Sequence, residues 1–412
     1  MKAPASDSSA ASFMPPRRIA WSAYTTGFFC DSYTELFTLI VPLWAVHLGM
    51  TPLEIGILVG ARAFLPFFLA IHGGVMIDRF GTRRVLIITA AACLVLPTLF
   101  LTTSWLPAMM LLQTAGGLVG TWAWVAAQAQ AIQVSNADTD FVSRFSFFAR
   151  AGAMSGPVAI GLAWDVFGPV PSFIIASLWG GIFLATSLII PEMARPENPG
   201  EAKRPFRLTD LLPRLSDYAS ALALTAIPAV AFVVAGSFVR SSSANMQNSF
   251  YVVYLQEIDF PGTLIGTLIA LTQGAAGFGT LVGGPVERIL RPRWAFLITV
   301  FLSVIFITIT PLLGGIFILL AIAVVLRGFF QGVSQPIMFT YLSRAVSMRE
   351  QATSIGVRTT VNRLAVLVLP VTMGAVAEIW GVGPSFLVMG AFLLVLLAGI
   401  VVVFQRRASA NP

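Results

Sequence analysis

Two carboxylates lie in a stretch of the sequence that is otherwise almost entirely apolar. Asp31 and Glu35 are four residues apart, so a helix would present both on one face. A carboxylate in an apolar setting changes its proton affinity when an arginine approaches or leaves it. Arg62, in the next apolar segment, falls at the depth of Glu35 if each residue advances the helix by about 1.5 Å. The two acids are therefore candidates for proton transfer, unless Glu35 only neutralises Arg62.

Basic and amide side chains form a second group inside apolar segments. Arg327, Gln331 and Gln335 recur every four residues, which predicts a polar stripe on one helix. A guanidinium group suits the geometry of carboxylate and phosphate. The arginines placed within apolar segments are Arg62, Arg150, Arg240, Arg327, Arg358 and Arg363.

The charge of this group predicts the kind of solute that it would hold. Each charge costs about 2.5–3.5 kcal/mol at the centre of a membrane helix, so these side chains should face protein or a watery cavity. Six arginines and two acids leave a formal sum of +4, which favours an anionic ligand. The alternative for Arg150, Arg358 and Arg363 is a structural role at gates, where they would bind helix ends or carboxylates.

The composition of the chain predicts that these residues sit in a membrane protein. Of the 412 residues, 57% are hydrophobic and 10% are charged, whereas a soluble domain carries about 25% charged residues. Only two histidines and two cysteines are present, and there is no GK[ST] phosphate-binding loop. We therefore expect no enzyme activity, no metal site and no cofactor.

Apolar stretches long enough to cross a bilayer occur twelve times and define an all-α membrane protein. They fall at 19–48, 53–77, 85–104, 106–133, 145–167, 170–190, 222–256, 262–286, 294–313, 315–342, 352–379 and 384–405.

The basic residues predict how the chain is oriented. Nineteen of the 25 Lys and Arg residues fall in the N-terminal tail, the even-numbered turns, the central linker or the C-terminus. This one-sidedness predicts cytoplasmic termini in a bacterial inner (plasma) membrane. It also argues against a nucleic-acid partner, because a nucleic-acid patch would not alternate with the helices.

The chain reads as two copies of a six-helix unit. The expected parts are a disordered tail (1–18), a first bundle (19–190), a cytoplasmic linker (191–217), a second bundle (218–405) and a short tail (406–412). An offset of 212 pairs Gly116 with Gly328. An offset of 213 pairs Arg150 with Arg363, Pro157 with Pro370, Asp165 with Glu378 and Gly168 with Gly381. Matches of rare residue types at nearly one offset indicate a tandem duplication.

The turn between the second and third segments carries a recognisable signature, G-x-x-x-D-R-x-G-x-R-R, with Thr82 where a basic residue is frequent. Because of this signature and the duplication, the whole chain resembles the major facilitator superfamily. The resemblance implies a latch that holds the two halves together on one side of the membrane; the alternative is a plain solvated turn. The residues of the signature are Gly74, Asp78, Arg79, Gly81, Arg83 and Arg84.

The same resemblance implies a twelve-helix secondary transporter that works by alternating access, with a cavity lined by helices 1, 4, 7 and 10. It places Asp31, Glu35, Arg240, Gln247, Arg327, Trp124 and Gln128 near substrate. We expect a monomer in a lipid bilayer that moves a small, anionic organic solute coupled to protons. The alternatives are a multidrug or metabolite proton antiporter and a non-transporting receptor on the same fold.

Overall fold

The computed structural model describes residues 15–69, 80–135, 138–191, 226–345 and 348–410, which form twelve helices in two sets of six. The helices are α1 (Arg17–His47), α2 (Pro52–Ala61, continuing after a turn to Leu69), α3 (Thr82–Phe100), α4 (Leu106–Val134), α5 (Thr139–Phe167), α6 (Pro169–Ile189), α7 (Pro228–Met246, then a π-helical segment Gln247–Tyr251 and Val252–Glu257), α8 (Gly262–Ile289), α9 (Pro292–Thr308), α10 (Phe317–Ala345), α11 (Met348–Trp380) and α12 (Val382–Ala410).

The helix ends follow from local sequence and explain the differences from the predicted bounds. Helix α1 begins at Arg17, inside the predicted tail, directly after Pro16 at its N-cap. Asp138 accepts a hydrogen bond from the Phe141 N–H and starts α5 six residues before the apolar run. At the other end of the chain α12 extends to Ala410, beyond the predicted bound at 405. The predicted linker (191–217) lies almost wholly outside the described residues and stays a prediction.

By length and hydropathy alone, seven of the described helices could cross a membrane: α2, α3, α6, α8, α10, α11 and α12. Helix α9 is as apolar but shorter. The other four, α1, α4, α5 and α7, contain many of the polar residues considered above. The chain is a multi-pass helical membrane protein.

Equivalent helices pack in the same way in the two halves. In the first half, α1 packs against α5 and α6, and α3 packs against α6; in the second half, α7 packs against α11 and α12, and α9 packs against α12. The turns agree as well, because Gly168 and Gly381 both have positive φ angles, 85° and 89°, which favour glycine. These two glycines were paired by the sequence repeat.

A proline and a glycine bring α2 and α4 into close contact near Arg62. Pro66 has no N–H, so the Arg62 carbonyl loses its usual helical partner and the helix breaks into a turn there. The freed carbonyl lies against Gly117 of α4. In the second half, Gly328 of α10 lies against the Thr272 carbonyl of α8 in the same manner. The packing therefore pairs Gly328 with Gly117, one residue from the Gly116 that the sequence repeat paired with it.

The contact between Gly117 and the Arg62 carbonyl predicts that a substitution at Gly117 lowers stability, and the adjacent Gly116 offers a control. A methyl group at Gly117 would overlap the Arg62 carbonyl, so Gly117→Ala should destabilise the protein by about 1–3 kcal/mol through overpacking. Gly116→Ala should be neutral or slightly stabilising, because its methyl would lie 3.9 Å from Leu96 Cδ1. The measurement is the thermal unfolding midpoint of both variants in detergent, and equal midpoints would contradict the assigned contact.

The two halves meet through α5 with α8 and through α2 with α11. We call the side on which Arg17 lies the terminal face and the side on which His47 lies the far face. At the far face Asp165 of α5 accepts hydrogen bonds from the Gly262 N–H (2.7 Å) and the Thr263 N–H (2.7 Å), which begin α8. Glu378 of α11 likewise accepts from the Leu53 N–H of α2 at 3.1 Å. Each half thus supplies a carboxylate to a helix N-terminus of the other, which is a favourable placement for negative charge.

Candidate functional site

A polar cavity of about 130 Å³ lies between the two bundles, roughly halfway along the helices. Its lining contains three arginines and none of the described aspartates or glutamates. One wall comes from α5 and the remainder from α7, α8 and α10. The lining residues are Arg150, Arg240, Ala244, Asn248, Thr272, Gln273, Ala276, Thr280, Arg327, Gln331, Gly332 and Gln335.

Arg240 of α7 is fixed in the cavity wall by neutral acceptors on α10. Its Nε donates to Ser334 Oγ at 2.8 Å, and its Nη2 donates to the Gln331 carbonyl at 3.0 Å and to Gln335 Oε1 at 3.2 Å. The predicted polar stripe on α10 therefore orients this guanidinium. All three partners are uncharged, so the positive charge of Arg240 remains available to a ligand.

Arg327 lies deeper and is only 2% exposed. Its Nη2 donates to the Ser243 carbonyl of α7 at 3.2 Å, and its Nε has no hydrogen-bond partner among the described residues. A buried donor without an acceptor is costly, so an arriving ligand with an acceptor oxygen would be favoured here.

The π-helical segment of α7 changes which side chain reaches the cavity. Gln247, predicted to lie near substrate, is buried and donates to Thr272 Oγ1 at 2.7 Å. The next residue, Asn248, is exposed and lines the cavity. A π segment adds a residue to one helical turn and often marks a functional site.

Arg150 connects the cavity with the acids of α1. Its Nη1 donates to Gln273 Oε1 of α8 at 3.1 Å, across the boundary between the bundles. Both Asp31 and Glu35 interact electrostatically with Arg150. Arg150, predicted to lie at a gate, therefore has the two carboxylates on one side and the cavity on the other.

Glu35 and Arg62 lie near each other but do not form the direct ion pair that the sequence suggested. Arg62 Nη1 donates to Thr38 Oγ1 at 3.0 Å and its Nη2 to the Thr34 carbonyl at 3.2 Å. The guanidinium still interacts electrostatically with Glu35. Glu35 Oε2 is buried and has no hydrogen-bond partner in the part of the chain that the structure describes.

Three predicted residues lie in other surroundings. Trp124 of α4 stacks on Phe145 of α5, with ring centroids 6.2 Å apart, within the first bundle. Gln128 is exposed and is not among the residues that line the described cavity. Arg358 lies over the Phe339 ring, 4.4 Å from its centroid, in a cation–π contact.

The remaining gate candidate, Arg363, is half-buried on α11 and interacts electrostatically with Arg62. It occupies the place in the second bundle that Arg150 has in the first. Both residues thus face the opposite bundle.

The structure describes Gly81, Arg83 and Arg84 of the signature turn, whereas Gly74, Asp78 and Arg79 lie outside the described residues. Gly81 has a φ of 88° and forms the N-cap of α3. Arg83 donates to the Ile190 carbonyl at 2.7 Å and to the Leu188 carbonyl at 3.2 Å, so it binds the C-terminal end of α6 as a helix-terminus partner. Arg84 is exposed.

Exposure along the cavity shows which side it opens to. Thr272 and Arg327 at its deep end are buried, whereas Thr280 and Gln335, nearer the terminal face, are exposed. Toward the far face, by contrast, Gly266 of α8 and Gly56 of α2 lie against backbone carbonyls of the opposite bundle. This conformer is open toward the terminal face and closed toward the far face.

Several lining residues had no sequence signal. Thr272, Gln273 and Thr280 are isolated polar residues in α8, where a small or amide side chain is as compatible with helix packing as with ligand binding. The role of Gln273 becomes visible only in the structure, through its contacts with Arg150 and Glu35. Asn248 was one position from the predicted Gln247, and the π segment that exposes it has no reliable signature in a single sequence.

Comparison with known proteins agrees with this architecture. The sequence model of the Major Facilitator Superfamily matches residues 23–239 and 233–412. A mutant of the nucleoside transporter NupG has a TM-score of 0.79 at 15% identity, covering 94% of this chain and 100% of that chain. A second similar structure is a bacterial homologue of the human lysosomal transporter Spinster in an inward-facing conformation. Its TM-score is 0.73 at 13% identity, and the match covers 95% of this chain and 98% of that chain. A POT family transporter in complex with 5-aminolevulinic acid has a TM-score of 0.68 at 14% identity, and the match covers 95% of this chain and 96% of that chain. At these identities the structures establish the shared fold.

Proposed function

The chain belongs to the Major Facilitator Superfamily, and from this premise we propose that it is a proton-coupled secondary transporter of a small organic anion. The family and the fold make it a non-enzymatic membrane transporter. The proposal adds the charge of the solute and the coupling ion.

The observation that carries the proposal is the composition of the cavity wall. Arg150, Arg240 and Arg327 line one chamber with amides and hydroxyls, and the hydrogen bonds of these guanidinium groups go to neutral acceptors. A cation would be repelled by this wall, and a neutral solute would leave Arg240, which is half-buried, and Arg327, which is buried, without a counterion. A carboxylate or phosphate would supply both charge and acceptor oxygens.

The position of Arg150 supports proton coupling. When Asp31 and Glu35 are ionised, they attract Arg150 away from the solute; when they are protonated, the guanidinium is free to bind the anion. Proton binding and anion binding would then favour each other, as symport requires, because each ligand changes the affinity for the other by the same factor.

The two-fold arrangement supports alternating access around this midplane cavity. We place both termini in the cytoplasm of a bacterial cell, on the basis of the distribution of basic residues, and we take the transporter to be a monomer in the inner membrane. With that orientation, the present conformer opens to the cytoplasm.

The test is solute flux into proteoliposomes with an imposed pH gradient, using matched anionic, neutral and cationic labelled probes. Arg327→Gln should lower anion uptake by roughly ten- to a hundredfold, because a hydrogen bond to a charged group contributes about 1.5–3 kcal/mol. Arg291→Gln, which removes an exposed arginine at the start of α9, should leave uptake unchanged. Movement of cationic drug-like probes alone would overturn the proposal in favour of a multidrug antiporter, and ligand binding without flux of any probe would indicate a receptor.

A further inference from the structure

The charges inside the two bundles are distributed unequally. In the first bundle Arg62 and Arg150 are balanced by Asp31 and Glu35, so the formal sum is zero. In the second bundle, the described acids lie toward the helix ends and at none of the cavity positions. The interior arginines of that bundle are Arg240, Arg327, Arg358 and Arg363. The whole excess of positive charge therefore belongs to the second bundle.

Two of these arginines are close enough to act on each other and share the cavity. Arg327 and Arg240 interact electrostatically as like charges, and Arg240 also interacts with Arg358, which lies over the Phe339 ring and outside the cavity lining. Their partners are the Ser243 and Gln331 carbonyls, the Ser334 hydroxyl and the Gln335 amide, so no described carboxylate separates or neutralises them. Two like charges in a cavity wall that is partly shielded from water repel each other, and this arrangement is unfavourable unless a ligand neutralises both charges.

We propose that the solute carries two negative charges and that Arg240 and Arg327 hold them together in the cavity. This inference rests on the proposed anion transport and specifies its substrate class. A solute with a single carboxylate would neutralise one guanidinium group and leave the charge of the other arginine unbalanced. A dianionic group satisfies both, whether its charges reside on one phosphoryl group or on two carboxylates of a small molecule. The free Nε of Arg327 is a donor for such an oxygen.

The first experiment measures the thermal unfolding midpoint of the purified full-length protein with matched probe pairs at equal ionic strength. Succinate is compared with butyrate, which has one carboxylate fewer, and glycerol 3-phosphate is compared with glycerol. The assay is run at pH 8, where a phosphate monoester is fully dianionic because its second pKa is about 6. We expect saturable stabilisation by at least one dianion, with an apparent Kd at least about tenfold below that of its matched partner.

The second experiment assigns the binding to the two arginines. Arg240→Gln and Arg327→Gln should each remove the preference for the dianion, whereas Arg291→Gln should retain it. The succinate and glycerol 3-phosphate arms distinguish two carboxylates from one phosphoryl group. Equal stabilisation by butyrate and succinate, or dianion binding unaffected by Arg240→Gln, would overturn the inference. If monoanions are bound and carried, the transport proposal stands and this inference fails; if no anion binds and only cations are carried, both fail.

Discussion

Glu35→Gln should abolish proton-driven accumulation of the solute while exchange of solute across the membrane continues. Glu35 is half-buried, interacts electrostatically with Arg62 and Arg150 and also interacts with the Gln273 side chain, while its Oε2 has no hydrogen-bond partner in the described structure. One coupled proton under a gradient of one pH unit supplies about 1.4 kcal/mol and supports roughly tenfold accumulation. A glutamine keeps the shape of the side chain but carries no proton, so the variant should equilibrate the solute and accumulate none.

The second bundle already shows that glutamine fits such a site. Gln247 is at the equivalent position of α7, fully buried and hydrogen bonded to Thr272 of α8. Loss of accumulation in Glu35→Gln would therefore not reflect misfolding. Continued solute exchange by the variant shows directly that it is folded. Glu257→Gln, at the far-face end of α7 and outside the cavity, serves as the control. Full accumulation in both Asp31→Asn and Glu35→Gln would show that the coupling carboxylate lies elsewhere.

The sequence predicted the helices well because each apolar run has the length of a bilayer crossing. Helix α4, predicted at 106–133, spans Leu106–Val134. The start of α5 was missed by six residues because its first two turns carry Asp140, Ser143 and Arg144, which hydropathy excludes although Asp138 caps the helix. Polar helix ends are fixed by capping, to which a hydropathy window is insensitive.

The site was less predictable because it depends on which helix faces which. The stripe of Arg327, Gln331 and Gln335 could be read from its four-residue spacing, and the structure places it on the cavity wall. Trp124 was placed near substrate by helix number alone, whereas its ring stacks on Phe145. The contact between Arg150 and Gln273 joins residues 123 positions apart, and no local pattern predicts it. The roles of all these residues remain predictions.

Gly266→Ala should shift the protein out of the conformer that is closed at the far face. Gly266 of α8 lies directly against the Pro157 carbonyl of α5, so a methyl group there would overlap backbone atoms that cannot rotate away. This contact is present only while the bundles are closed at that face, next to the cap that Asp165 provides for α8. The variant should therefore favour the alternative conformer, open at the far face, and slow transport because the cycle must pass through both states.

Gly284→Ala is the matched control, because it lies in the same helix and its methyl would meet nothing within 4 Å. Spin labels on Ser104→Cys and Ile316→Cys, exposed positions in equivalent far-face turns, report the separation of the bundles, since Cys30 and Cys93 are buried. We expect longer distances in Gly266→Ala and unchanged distances in Gly284→Ala. If Gly266→Ala kept the short distances and the full transport rate, α5 and α8 would not separate during the cycle, and the far-face contacts, including both carboxylate caps, would be static parts of the fold.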